Sequence, residues 1–552
     1  MKRYIFILTG CLWLTTSCSD FLELNESQYH TVEYQFSTFE NVKQVATNVY
    51  GYVQDGLADV GNTMRDAATD DAVYAWESNN LKTYYDGSWS STNLIDNQWS
   101  HYYSAISAAN YFLENCPSDF PATIYQENYK EKVQQLKNYP LEIKALRAYF
   151  HFELLKRYRN IILVDHSLSI DEVNNLKPTP FDQAVSWIVD QCDEVIPLLP
   201  VTYENTTKGE IARTTKGMAM ALKARILLYA ASPLNNPTDD KTKWLKAAEA
   251  AKHIIDANIY RPVNEEVVNN AAAAGLIFGK WNSPNNNFEA ANFPIGFEGG
   301  YSGVCPSQNL AEAFDLIDGT PFDWNNEEHR KSALKVENRD PRFQKTLLPN
   351  GVSFKGEIIE SFLNGKNGLP KEGATPTSYY LRKLLKEETS LIPGSTTSYQ
   401  HIVPLFRYEE VLLNYAEALL EAEKNPTYKG KQGEVDYQLS PLEAVNQVRK
   451  RVGMPRLPDN LDYLSFQKRL RNERRVELAF EGHRFWDIRR WKMGKDTKKV
   501  YGLTLTAKGD GTLNVQRTLV HDRIWEDKMY YYPIADFELF NNKNLTQNDG
   551  WK

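Results

Sequence analysis

Cysteine is scarce. Five occur in 552 residues, Cys11, Cys18, Cys116, Cys192 and Cys305, at wide spacings that define neither a disulfide framework nor a metal cluster. The nine histidines are scattered, and no His-Glu-x-x-His zinc motif is present. A phosphate loop is missing too, because the run from Gly275 to Lys280 lacks both the spacing and the hydroxyl residue. The Gly300–Val304 run fails as a nucleophile elbow: Val304 stands where the last glycine of Gly-x-Ser-x-Gly belongs. Glycoside hydrolysis needs two carboxylates held roughly 5–10 Å apart across a cleft. Asp70 and Asp71 are adjacent in sequence and diverge, so they make a poor acid/base pair. No EF-hand pattern occurs, although Asp- and Asn-rich loops leave calcium open as a ligand. Net positive charge is lacking as well. The chain carries −8, which disfavours attraction to nucleic acid.

What is present begins at the N-terminus. Lys2 and Arg3 precede an apolar run, Tyr4–Leu14, of signal-peptide length and too short to span a bilayer. Two cysteines compete for the processing site. Cys11 has the better local lipobox, but cleavage there leaves an apolar run of about five residues, below the roughly 7–15 of an h-region. Cys18 follows Leu14-Thr15-Thr16-Ser17 with a full h-region behind it. Residues 1–17 are therefore expected to be a lipoprotein signal peptide, with Cys18 as the acylated first mature residue. An ordinary secretory signal is the alternative. Several acyl chains on one cysteine tether a protein stably without spanning the membrane. Loss of Lys2 and Arg3 with the leader takes the charge from −8 to −10.

Aromatics are abundant at 12%, with 32 Tyr and 12 Trp. Such rings fill cores, and they also stack on the apolar CH faces of sugars. Apolar residues recur at helical spacing over Phe39–Gly56, Asn97–Asn115, Leu141–Tyr158 and Phe181–Ile196. Two helix pairs follow, one over Thr214–Asn258 and one over the segments RYEEVLLNYAEALLEAEK and SPLEAVNQVRKRVG. They resemble tetratricopeptide units without the strict repeat signature. Between them, 260–404 turns to Gly, Pro, Asn and Ser, too long for a mere connection and expected to fold as a subdomain. Near the end, Glu473, Glu477 and Glu481 repeat at helical spacing beside arginines, predicting a charge-laced helix that stops at Gly482 and is followed by a second. The fold class expected is mainly α, a helix-pair superhelix carrying an irregular loop-rich subdomain. Its parts are a linker at 18–36, a helical part at 37–259 with a binding loop at 66–96, the subdomain at 260–404, and C-terminal helix pairs at 405–552.

RNERRVELAFEGHRFWDIRRW and PIADFELFNNKNLTQNDGW resemble the end of SusD/RagB-family proteins, the surface lipoproteins of Bacteroidetes nutrient uptake. Further matches come in the family's order: the Cys18-Ser19-Asp20-Phe21-Leu22 start, EIKALRAYFHFELL, RTTKGMAMALKARILLYAAS, PSQNLAEAFDLIDG and PLFRYEEVLLNYAEA. Asp20 and Glu23 resemble the family's surface-export signal. The resemblance implies a non-catalytic protein on the extracellular face of the outer membrane. It would be a lid on a SusC-like TonB-dependent transporter, delivering glycans or, in the RagB branch, peptides. Position by position, VYAWESN places Tyr74, Trp76 and Asn79 as sugar contacts, with Asp70 and Asp71 just upstream as hydroxyl acceptors. Tyr301 and the more distant Trp281 match further aromatics, and Trp324 is a lesser candidate for the same face. Trp89, Trp99, Trp486 and Trp491 are expected to be structural.

Overall fold

Helix α1 (Phe39–Gly51) starts where the Thr38 hydroxyl accepts the Asn41 N–H at 3.2 Å, and it buries Phe39, Val42, Ala46 and Val49. The computed structural model describes residues 31–120, 128–173, 175–203, 212–262 and 267–551. The leader, Cys18 and most of the linker lie outside the described residues.

From α1 the chain builds a continuous stack. Helices α2 (Trp99–Asn115), α3 (Tyr129–Tyr158), α4 (Phe181–Val195), α5 (Lys216–Ala231) and α6 (Lys241–Asp256) each pack on the next. Helix α3 begins a dozen residues before the periodicity at Leu141 announces it, with Pro140 inside. Proline removes one backbone donor. Burial of Leu136, Tyr139 and Ile143 on either side keeps the helix continuous. On α5 and α6, buried Ala219, Ala224, Ala247, Ala248 and Ala251 let the two backbones approach closely.

The next helix in the stack is not the next in sequence. Helix α7 (Tyr408–Glu423) packs directly on α6, and α8 (Pro441–Arg451) and α9 (Tyr463–Glu477) follow it. The two helix pairs legible in the sequence are thus neighbours in space, and the loop-rich segment leaves the stack and returns to it. Strands are short. β1 (Ala72–Tyr74) pairs antiparallel with β3 (Val304–Pro306), and β2 (Leu276–Trp281) with β4 (Ile402–Arg407). The second pair joins the outgoing and returning ends of the insertion, with Trp281 opposite Ile402 and Leu276 opposite Arg407. That pair is the stem of the subdomain. A longer hairpin of β5 (Lys499–Ala507) and β6 (Leu513–Asp522) closes the chain against the subdomain, where Leu503 N–H donates to Thr377 O at 3.0 Å.

The glutamates near the chain end differ from the sequence expectation in two respects. Helix α9 stops at Glu477, and Phe480 and Gly482, with φ of +59° and +74°, turn the chain into α10 (His483–Arg490). Nor do Glu473, Glu477 and Glu481 pair along their own helix face. Arg342 of the subdomain reaches Glu473 at 2.7 Å and Glu477 at 2.8 Å; Arg407 of the stem reaches Glu477 at 2.6 Å and Glu481 at 2.7 Å. Arg449 and Arg451 of α8 complete a buried network. Burial alone raises a carboxyl pKa, but the guanidiniums of Arg451, Arg407 and Arg342 hold Glu477 well below the usual range. The folded state thus binds this proton less readily than the unfolded one. Its stabilisation is present above the unfolded carboxylate pKa and is lost as pH falls.

Breaking such a network strands buried charge, at about 3–5 kcal/mol. Glu477→Gln should destabilise the protein by that amount in denaturant melts at neutral pH. Glu194→Gln, which removes the exposed pair with Lys144, should change it by less than about 1 kcal/mol.

Candidate ligand-binding site

Three loops meet at Trp76. Tyr74 ends β1 opposite Val304, and the Ala75 N–H donates to Gly303 O at 2.9 Å, so Trp76 emerges beside the loop that carries Tyr301. The two rings stack with centroids 4.3 Å apart and planes 13° from parallel, and the Trp76 Nε1–H donates to the Tyr301 carbonyl at 2.7 Å. A paired stack of this kind adds about 0.5–1.5 kcal/mol beyond its burial. Tyr301 is 44% exposed, while Trp76 and Tyr74 are half-buried. The Tyr74 hydroxyl has its pKa raised by burial and by the nearby Tyr301 phenol. The third loop brings Gly373, with φ +74°, where an added Cβ would lie 2.5 Å from Cζ2 of Trp76. Glycine is what lets that backbone pass.

A cleft of about 570 Å³ adjoins this platform, lined among others by Asp55, Asn62, Asn282, Asn285, Asn287 and Phe288. Platform and cleft share backbone. Gly61, beside Asn62, lies against Asn79 and Asn80, and Gly303, two residues after Tyr301, packs on Ala291 of the cleft wall. Another groove, of about 520 Å³, runs between α4, α5 and α6; among the described residues no Trp, Tyr or Phe lines it, and two of its three lysines, Lys223 and Lys243, pair with Asp193 and Asp182.

With the geometry in place, relatives decide the family. The sequence profile of the SusD family matches residues 276–551, half of the chain, and a second profile, described as starch-binding associating with outer membrane, matches residues 20–228. The chain belongs to the SusD family. A SusD-like protein P25 of Formosa agariphila is 21% identical over 518 residues, covering 88% of this chain and 89% of its own. A SusD-like protein of Bacteroides fragilis superposes with TM-score 0.75 at 25% identity, over 94% of this chain and 98% of that one. A SusD-like carbohydrate binding protein from the same species gives 0.74 at 24% identity, over 93% and 99%. The fold is accordingly that of SusD proteins.

Within this SusD-family chain the residues singled out from sequence separate. Tyr74, Trp76 and Tyr301 come together. Asn79 lies at the platform's edge, where its Oδ1 accepts the Leu81 N–H at 2.6 Å and caps a helical turn, while its amide nitrogen makes no hydrogen bond among the described residues. Trp281 is half-buried at the end of β2 and immediately precedes Asn282 of the cleft. Asp70 and Asp71 are corrections. Both are buried: Asp70 takes a two-pronged bond from Arg484 at 2.9 Å, and Asp71 pairs with Arg475 at 2.6 Å, so neither faces a ligand. Trp324 packs with Phe322 on a loop that pairs through Asp315 with α8 and α9, away from the platform loops. Trp89, Trp99, Trp486 and Trp491 are buried. Sequence reasoning missed Gly373 and the cleft amides. The NSPNNN run is the signal that held three of those amides.

No cluster of three or more His, Cys, Asp or Glu placed to hold a metal ion occurs among the described residues. Beneath the platform, Asp66 is buried with one carboxylate oxygen unpartnered, and burial, with Asp71 close by, pushes its pKa up to about 7. A raised folded pKa means that the native state holds the proton more tightly. Stability therefore falls as pH rises from about 4, the ordinary Asp value, towards 7.

Two outcomes are expected. Asp66→Asn should be more stable than the parent at pH 8 by about 1–3 kcal/mol, with the margin closing near pH 4 in thermal melts. Gly373→Ala should displace Trp76 and alter its near-ultraviolet circular dichroism while the far-ultraviolet signal stays put.

Proposed function

We propose that this chain is a lipid-anchored surface protein of the outer membrane that binds glycans and passes them to a SusC-like TonB-dependent transporter, with no bond made or broken. The observation that carries the reading is the Trp76–Tyr301 stack. It presents an exposed, rigid ring beside a cleft lined with amides, the combination that binds sugars by stacking on CH faces and by orienting hydroxyls. The starch-binding description of the profile over residues 20–228 and the carbohydrate-binding relative of known structure support it. The lipid anchor rests on Cys18 and its leader. Among the described residues Asp55 is the one carboxylate that lines the cleft, so no pair there offers itself as acid and base. Tyr74, Asn79 and Trp281 are secondary contacts in this scheme.

Affinity electrophoresis of the chain from Ser19 onward, through gels containing different polysaccharides, tests it. Retardation in at least one gel is expected. Trp76→Ala and Tyr301→Ala should each weaken binding between about fivefold and 150-fold, taking roughly 1–3 kcal/mol per stacked ring from aromatic–base contacts as the scale. Retardation untouched by both substitutions would move the site elsewhere. Binding of peptide mixtures with no glycan binding would replace the glycan reading by the RagB-like one.

A further inference from the structure

We infer that the cleft beside the platform admits electrically neutral sugar chains and turns away polyanionic ones such as sulfated or uronate polymers. The inference rests on the glycan reading and names its substrate class. Among the described residues lining the cleft there is no lysine or arginine. Its ionisable residues are Asp55 and His401, and the His401 Nε2 faces the buried Glu289 carboxylate at 2.9 Å. The Asp55 carboxylate is fixed by the Leu57 N–H at 2.9 Å and the Asn282 amide at 2.6 Å. Lys280, next to Trp281, directs its ammonium to the Tyr50 carbonyl at 3.2 Å.

The platform loops have the same character. Glu77 follows Trp76, Glu298 precedes the Tyr301 turn and Glu372 precedes Gly373, and all three are exposed. Two cations flank these stretches: Lys371 donates to the Lys366 carbonyl at 2.5 Å, and Lys366, whose ammonium lies 5.6 Å from the Phe297 ring centroid, pairs with Glu357 at 2.7 Å. A sulfate or carboxylate on a ligand would meet Asp55 in the cleft and, among the described residues, find no guanidinium or ammonium on the cleft lining to receive it. Neutral hydroxyls, in contrast, both donate and accept, as amide side chains do. The side chains of Asn62 and Asn287 make no hydrogen bond among the described residues and are available to them.

The test runs the chain from Ser19 through gels at low ionic strength. Laminarin, xylan and mannan serve as neutral probes, and alginate, polygalacturonate and chondroitin sulfate as polyanions. Retardation by a neutral polymer, abolished in Trp76→Ala, with every polyanion ineffective, is expected. Retardation by a polyanion that Trp76→Ala abolishes would overturn the inference and leave glycan capture standing. No retardation in any gel, together with no heat on titration with neutral oligosaccharides, would overturn both. Asn287→Lys places a cation on the cleft wall. It should create polyanion retardation that disappears as salt is raised, and its failure to do so would remove the cleft as the selecting element.

Discussion

Two adjacent carboxylates decide where the Trp76–Tyr301 platform sits. Asp70 and Asp71 open the segment that becomes β1, and both are buried, which without partners would be unfavourable by several kcal/mol per charge. Arg475 of α9 and Arg484 of α10 supply the partners. Burial pushes the Asp70 carboxyl upward, yet Arg475 and Arg484 hold it below the usual carboxylate range. Residues more than 400 positions apart in sequence are thereby locked, and the segment that continues through Tyr74 to Trp76 has a fixed origin. Ser307 strengthens the same junction, its N–H donating to Asp71 O at 2.8 Å and its hydroxyl to Asp70 O at 2.5 Å. The Tyr301 loop is thus referred to the same point as the Trp76 loop. The stack is a consequence of that shared anchor.

The helix stack explains why the insertion is tolerated. Because α6 meets α7 as directly as α5 meets α6, the subdomain adds no gap to the scaffold and needs only a stem and a clamp. The β2–β4 pair is the stem. The clamp is the buried network in which Arg342, Arg407, Arg449 and Arg451 surround Glu473 and Glu477. Ion pairs of this depth are weak sources of net stability, since desolvation offsets most of their attraction. What they impose is uniqueness: one docking position satisfies all these charges, and any other leaves several buried and bare.

Much of this scaffold was legible in the sequence, because helix periodicity is local. Val42, Ala46 and Val49 mark the buried face of α1, and the alanines of α5 and α6 mark a close helix contact, whatever the rest of the chain does. Partners were not legible. Asp71 has the composition of a sugar ligand, and only a contact with Arg475 makes it structural. The repeat of Glu473, Glu477 and Glu481 predicts the helix that holds the first two but overruns its end at the third, and it is silent on whether that face meets water or Arg342 and Arg407. Among the candidate site residues, rings announced themselves by loop context, so Trp76 and Tyr301 were singled out, though not their mutual stack. Gly373 escaped because its importance lies in an atom it lacks.

The stack also bears on how strongly one platform can hold a ligand. Trp76 gives one face to Tyr301 and its indole N–H to the Tyr301 carbonyl, so it acts first as a support. Tyr301, the more exposed of the two, offers the outward surface. A ring already fixed loses little rotamer freedom on binding, and the saving of roughly 0.5–1.5 kcal/mol is comparable to the contact energy itself. Under the proposed function, that gives each ring a reliable contribution but keeps the number of rings small. Affinity at such a site must then come partly from the adjoining cleft, where the amides of Asn62 and Asn287 are unengaged among the described residues. Ring faces are indifferent to linkage and substitution, whereas amides and a single carboxylate are not. The proposed function therefore assigns adhesion and discrimination to different loops, and on that reading a change in the 282–291 segment alters what is bound without disturbing the Asp70–Asp71 anchor that positions the stack.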